Sequence, residues 1–500
     1  LISQEDVIDY VEKPKSLYYQ IERTKTAACV GSVRADGNIL SGKGVIVGVI
    51  DTGIDIFDNA FRNSDGTTRI LNIYDQTTGE KYDKQSIDEY IRLNEDLSGG
   101  TFSYDNAPGV DNIMHGTDVS YIAAGSLGVA YEADIIAVKM GYSINNQFPR
   151  TTSLMDAIDY IIRKAIEYRK PVAVNISYGC NYGAHNGNTL LESFIDDISK
   201  SYRCVICVGS GNEADKAIHF GGIINTGQVQ TAYLSVGEYQ SAIDIQIWKN
   251  YWDTIDVMLI NPRGEQIGII TEGRINRYET YNTEIITLLG EPSPYNIYQE
   301  IYINLIPKTD YILSGIWQIV LMAGSIRAGE YNIWLPSSQA LGYATAFNNP
   351  TADGTITIPA TARNCIAVGA YNAYTNSYAA FSGRGFDNSI RNVNAGVKPD
   401  ITAPGVDISI ARQRGNDITY RNVTGTSYAV PVVTGAAALL MQWGIVMGND
   451  RFMYGEKLKA ALIDGSKPVG LVGITRNDNQ PDPRTGWGAV CLKNTLNKIL

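Results

Sequence analysis

The sequence predicts an α/β fold: a parallel sheet with helices on both faces, interrupted by an inserted all-β jelly-roll unit. Three observations predict it. Strand-like apolar runs occupy 45–50, 134–140, 171–177 and 204–209, as expected of strands covered on both faces. Between them, residues 153–169 carry Leu154, Ala157, Ile158, Ile161, Ile162 and Ala165 on one face at three-four spacing, the signature of an amphipathic helix. The alternation then stops at about 223. Six strand-like runs follow ("AIDIQIW", "TIDVMLI", "QIGIIT", "EIYINLI", "GIWQIVLMAG", "EYNIWL"), punctuated by turn residues such as "NPRGE" and "RAGE".

Taken in order, residues 1–23 read as an N-terminal arm or a propeptide remnant. The α/β pattern runs from 24 to 222, and the β unit from 223 to 345. The α/β pattern resumes over 346–500 with a strand at 364–371, a long helix at 426–444 and a shorter one at 455–466. The two α/β stretches read as one domain split by the insert. No internal repeat is evident.

With 500 residues, 44% hydrophobic and 19% charged, the chain is a folded protein of more than one ordinary domain. Its net charge of −11 opposes nucleic acid and anionic membranes as partners. The start, "LISQEDVIDYVEK", is acidic and lacks the basic-then-apolar order of a signal peptide. The longest apolar stretch, 432–448, is slightly short for a membrane span and contains Gln442. The expectation is an intracellular chain, or one whose targeting end has been removed. The six cysteines do not form a disulfide framework. Cys204 and Cys207 make a CxxC, but within a strand, positions three apart point to opposite faces, so they read as core thiols rather than a metal or redox pair.

The first apolar run ends on Asp51-Thr52-Gly53. Proteases of two classes place an aspartate in such a triplet. Paired-aspartate catalysis needs a second copy, since two carboxylates must share one proton. There is none: Asp65-Gly66-Thr67 and Asp353-Gly354-Thr355 have the wrong order. The alternative uses the aspartate to orient a histidine beside a serine. Only His115, His185 and His219 are available. His115 sits in "MHGTDVSYIAAG", which reads as a turn into a helix capped by Thr117. Ser427, in "VTGTSYAVPVV", starts the long helix, where the helix N-terminus favours developing negative charge. Pro431 is tolerable only near that first turn. Asn212, in "VGSGNEA", follows a strand and is placed to donate to an oxyanion, although Gly-Asn is also a common turn. All four stand at strand ends or helix starts, where open α/β sheets put their sites.

The order Asp…His…Ser, with "VIDTGID", "HGTDV", "SGNE" and "GTSYAVPVVTGAAALL", resembles the subtilisin-like serine proteases, the subtilases. "GVAYEADIIAVKM", "NISYG", "FSGRG", "KPDITAPGV" and "WGAV" resemble the family too, so the likeness covers about 24–222 and 346–500. The resemblance implies a subtilisin-like fold and an Asp51–His115–Ser427 triad with Asn212 in the oxyanion hole. It implies a substrate cleft walled by Ser177-Tyr178-Gly179 and Gly209-Ser210-Gly211, with Ser143 in "GYSIN" on a strand that pairs with substrate. Three departures stand out. Asp118 and Val432 occupy positions where the family usually has histidine. "AAGSLGVA" lacks the longer loop that often holds calcium, so no metal is expected there, and no cofactor. The separations of 64 residues from Asp51 to His115 and 215 from Asn212 to Ser427 exceed those of the simplest members.

A jelly roll inserted at this place is similar to the clostridial Csp proteases. That likeness implies cleavage of a spore-cortex hydrolase zymogen during germination, in a spore-associated or extracellular setting. The alternatives are a broad-specificity clostridial secreted subtilase and a partner-binding pseudoprotease. The partners implied are a protein or peptide substrate and the chain's own cleaved propeptide, with no nucleic acid or membrane. The segment "KPKSLYYQIERTK" reads either as the processing junction, with residues near Tyr19 and Gln20 once held in the cleft, or as a mature N-terminal arm.

Overall fold

The computed structural model describes residues 20–31, 33–35, 37–98, 107–141, 149–270, 275–292, 294–386, 397–414, 417–470 and 481–500. Its central sheet holds seven parallel strands: β1 (Ile46–Asp51), β2 (Ile70–Asp75), β3 (Asp134–Lys139), β4 (Val172–Ile176), β5 (Cys204–Gly209), β6 (Ile366–Asn372) and β7 (Ile401–Pro404). Their spatial order is β7-β6-β5-β4-β1-β3-β2, with every pairing parallel. Strand order reverses around β1, so Asp51, its last residue, lies at the carboxyl edge beside a topological switch point.

Alternation along the strands splits the core into two layers. Val45, Val47 and Val49 face one layer with helices α1 (His115–Ala124) and α4 (Thr426–Met441). Ile46 and Ile50 face the other with α2 (Thr151–Tyr168) and α3 (Leu190–Ser201). Cys204 and Cys207 likewise fall on opposite faces. Burial raises both thiols to about 12, which keeps them protonated and inert. The apolar stretch Thr426–Val446 is long enough to cross a membrane, but 89% of its most apolar 18-residue window is buried within the fold, as the helix that packs under β4, β5 and β6.

Between β5 and β6 the chain makes two antiparallel sheets. One has five strands: Gln266–Ile269, Ile255–Ile260, Gly315–Ala323, Val229–Val236 and Ala346–Phe347. The other has six: Ile275–Glu279, Thr283–Leu289, Tyr298–Pro307, Ile243–Asn250, Glu330–Trp334 and His219–Ile223. Their inner faces share one core built around Trp317, Trp334 and the isoleucines of the alternating strands. The antiparallel pairing begins at His219 and ends at Phe347, a few residues beyond the 223–345 read from the sequence. The runs at 229–236, 275–279 and 283–289 give no clear strand signal in the sequence, because polar residues interrupt their apolar alternation: Gln230, Thr231 and Ser235; Asn276, Arg277 and Glu279; Thr283, Glu284 and Thr287.

One bridge does form, with no spacing in the sequence to suggest it. Cys29 and Cys491 make a disulfide with Cα atoms 4.7 Å apart and a sequence separation of 462. The Leu492 N–H also donates to the Ala28 carbonyl at 3.1 Å, so the two chain ends are tied at one place. Cys180, Cys204, Cys207 and Cys365 are free thiols.

Candidate active site

Asp51 closes β1 and is 1% exposed. Its Oδ1 accepts from His115 Nδ1 at 2.6 Å and from the Thr52 N–H at 2.8 Å, while Oδ2 has no hydrogen-bond partner among the described residues. The sequence permits this closeness through Gly116. A Cβ there would sit 2.9 Å from Asp51 Cβ and 2.3 Å from the Gly53 carbonyl, so only glycine lets α1 begin against the Asp51 turn.

Burial acts against the His115 imidazolium, but the charge and hydrogen bond of Asp51 outweigh it and leave the pKa above its ordinary 6.5. The bond from Nδ1 to a carboxylate places the neutral ring's free lone pair on Nε2, the tautomer of a general base.

The cap of α1 differs from the one read from the sequence. Thr117 is the third helical residue, not the cap, and Met114 precedes the helix with φ of 66°. Asp111, which sequence reasoning missed, does the capping. Its Oδ1 accepts from the Ile113 and Met114 N–H groups, and its Oδ2 from the N–H and hydroxyl of Thr117. The Thr52 hydroxyl links it back, donating to Asp111 at 2.8 Å and accepting from the Gly116 N–H at 3.0 Å. An aspartate four residues before a histidine is a weak signal alone; the "DN" at 111–112 before a helix start is the one that pointed there.

Ser427 is the second residue of α4. The Tyr428 ring packs against His115 with centroids 5.3 Å apart, which brings the serine's turn to the histidine. Pro431 has no N–H to offer the Ser427 carbonyl four residues back. That carbonyl instead accepts from the Ser177 hydroxyl at 3.3 Å. Asn212 follows β5, and its Oδ1 accepts from the N–H of Thr426 at 3.0 Å and its hydroxyl at 3.1 Å. With the amide oxygen so fixed, Nδ2 faces the Gly425–Ser427 turn as a donor.

The expected cleft walls converge on a residue the sequence reading did not single out. A Cβ on Gly179 would lie 2.5 Å from Thr357 Oγ1, and one on Gly211 (φ 91°) would lie 2.4 Å from Thr357 Cγ2. Thr357 therefore stands between the two segments, ahead of the cis Ile358–Pro359 bond. Tyr178 packs on the second core layer. Ser210 is buried. Its N–H donates to Val368, its carbonyl accepts from Thr357 and its hydroxyl pairs with Ser382, so it supplies wall rather than a free polar contact. Gly209 lies under Val430 of α4. Ser143 and Tyr19 lie outside the described residues; Gln20 begins a helix, Gln20–Ala27.

The remaining histidines sit elsewhere. His185 and His219 stack on Trp334 at 4.1 and 4.9 Å. Burial pushes His185 down to about 4, leaving it neutral.

The fold is that of the subtilisin-type serine endopeptidases. The sequence profile of the subtilase family matches residues 42–293 and 328–488, and the chain belongs to that family. The solved structure of the Clostridium perfringens CspB protease superposes with a TM-score of 0.85 at 34% identity, covering 95% of this chain and 96% of that one. Curated relatives include the subtilase-type proteinase RRT12 of Saccharomyces cerevisiae, 33% identical over 128 residues. Subtilisin E of Bacillus subtilis is 38% identical over 107. Those two alignments cover 25% and 21% of this chain, and span only 23% and 24% of the relatives' own lengths.

Proposed function

We propose that the chain cleaves peptide bonds through an acyl-enzyme formed on Ser427. The observation that carries this is the 2.6 Å bond from Asp51 to His115 Nδ1, at a sheet edge that also holds the start of the Ser427 helix and the Asn212 amide. Ser427 Oγ attacks the scissile carbonyl. His115 takes its proton at Nε2 and returns it to the leaving amine. Asp51 holds the tautomer and stabilises the imidazolium, and the Asn212 side chain with the Ser427 N–H receives the oxyanion. Extended substrate lies between Ser177–Gly179 and Gly209–Gly211, with Thr357 beneath the residue before the cut.

The inserted unit, 223–345, is proposed to stiffen the catalytic unit by covering part of its surface. Likeness to the CspB protease along 95% of the chain supports a Csp-type role: processing of a spore-cortex hydrolase zymogen. A fluorophosphonate probe tests the chemistry. Wild type labels and Ser427→Ala does not; absence of wild-type labelling refutes the enzyme. Incubation with a cortex-hydrolase proform tests the role. A single defined cut supports it, and an intact proform beside a cleaved generic peptide rejects it.

A further inference from the structure

The position three residues after His115 holds Asp118, where the family usually has histidine. Asp118 is 0% exposed. A bare carboxylate there would be costly, and the partners that face it both come from one hairpin, Ile408–Arg414 paired with Asp417–Val423. Arg412 Nε donates to Asp118 Oδ1 at 3.1 Å, its Nη2 contacts the same oxygen, and Arg421 Nη2 contacts Oδ2. In the hairpin register Arg412 stands opposite Thr419 and Arg421 opposite Ile410, so the two arginines are diagonal neighbours on one face. Arg414 extends that face to Asp55, 2.6 Å away.

Two further contacts give the cluster its reach. Arg412 Nη2 also donates at 3.0 Å to the carbonyl of Met114, the left-handed residue immediately before His115. At its other end the hairpin leads directly into the nucleophile: Val423 is four residues before Ser427, and the intervening Thr424 and Gly425 are pinned to Asp407 and Gly405. The hairpin is thus bolted to the helix that carries the base, and is continuous in chain with the helix that carries the nucleophile.

We propose that Asp118, Arg412 and Arg421 are positioning residues that set His115 against Ser427, with Arg421 also keeping a positive charge beside the His115–Tyr428 ring pair. The proposal rests on the serine-endopeptidase reading. Asp51 faces His115 from β1, Asp111 from the preceding loop, Arg421 from the hairpin and Tyr428 from α4, while Asp118 follows on the same helix and Arg412 holds it and the Met114 carbonyl. Arg421 is among the groups acting on His115, and its charge disfavours the imidazolium. Because the base must be neutral, kcat/KM falls as pH drops through the His115 pKa. Removing the Arg421 charge moves that acid limb to higher pH.

The test uses purified chain with a fluorogenic peptide, and active serine counted by fluorophosphonate labelling. Arg421→Gln is expected to shift the acid limb of kcat/KM upward, and Arg421→Lys to return it to the wild-type position. Asp118→Asn is expected to lower kcat at least tenfold with KM within about twofold, as misalignment of base and nucleophile requires. If Asp118→Asn fails to fold, the Arg421 pair alone decides. An Arg421→Gln profile that superposes on wild type overturns the proposal. So does an Asp118→Asn enzyme that folds with unchanged kcat. Wild type that takes up no probe marks instead the failure of the underlying reading.

Discussion

Asp58 lies fully buried in the loop after Asp51, and only one of its carboxylate oxygens is used. Oδ1 accepts from the Ala60 N–H at 2.9 Å, whereas Oδ2 has no partner among the described residues. Burial is the main cause that raises its pKa from 3.8 to about 6; the Ala60 N–H opposes the rise and nearby Asp55 adds to it. The folded state therefore holds this proton more tightly than the unfolded chain. Stability is greatest where the carboxyl is protonated in both states. It falls as pH rises from about 4 to 6, and stays at the lower level above that. At 1.36 kcal/mol per tenfold in proton affinity, the cost above pH 7 is about 3 kcal/mol, of which roughly 0.5 is already present at pH 4. Asp58→Asn is neutral throughout and keeps an oxygen for Ala60. Its extra amide hydrogens carry a penalty of their own, but an equal one at either pH. The variant should be made in the Ser427→Ala background to prevent self-digestion, and melted at pH 4.0 and 7.5 beside its parent. For 500 residues the unfolding entropy is about 1 kcal/mol/K. The variant's Tm relative to its parent should accordingly be about 2–3 °C higher at pH 7.5 than at pH 4.0. Equal differences at the two pH values, or a reversed order, would refute the assignment of a buried charge to Asp58.

Three other outcomes follow from the site and the chain ends. Asn212→Ala removes one oxyanion donor and should lower kcat by 10²–10³, about 2.7–4 kcal/mol, with little change in KM; a turnover number near wild type removes Asn212 from the mechanism. Asp51→Asn should cut kcat by about 10⁴. It should also move the acid limb of the residual kcat/KM to lower pH, since the charge that raises the His115 pKa is gone; an unmoved limb contradicts the pairing. Cys491→Ser opens the disulfide and should destabilise the Ser427→Ala protein by about 2–4 kcal/mol in a denaturant titration. An unchanged midpoint means the bond adds nothing to folding.

Much of this was legible because the chemistry sits where local pattern is strongest. Asp51 ends an uninterrupted apolar run, Ser427 begins a long apolar helix, and Asn212 follows a strand with glycines beside it. What escaped depends on contacts between distant segments. The Cys29–Cys491 bond joins positions 462 apart, with no spacing rule to connect them. Arg412 and Arg421 belong to a two-stranded hairpin whose half-exposed strands carry charges rather than an apolar period, so it left no strand signal. Asp111 reads as one more loop acid until the fold wraps it around the first turn of α1. Thr357 acquires meaning only when two glycines, just past the ends of separate strands, close on it. Thr117 misled for the opposite reason: threonine before an apolar helix is a favoured cap, and here a better-placed aspartate took that task.

The covalent link between Cys29 and Cys491 makes nearly the whole polypeptide a closed loop. A peptidase crowded among its own copies is exposed to nicking, and any single nick inside that loop opens a ring instead of shedding a fragment. Both pieces stay joined through sulfur, and the severed segments remain held by the packing around them. Damage of this kind would be invisible on a non-reducing gel and plain on a reducing one.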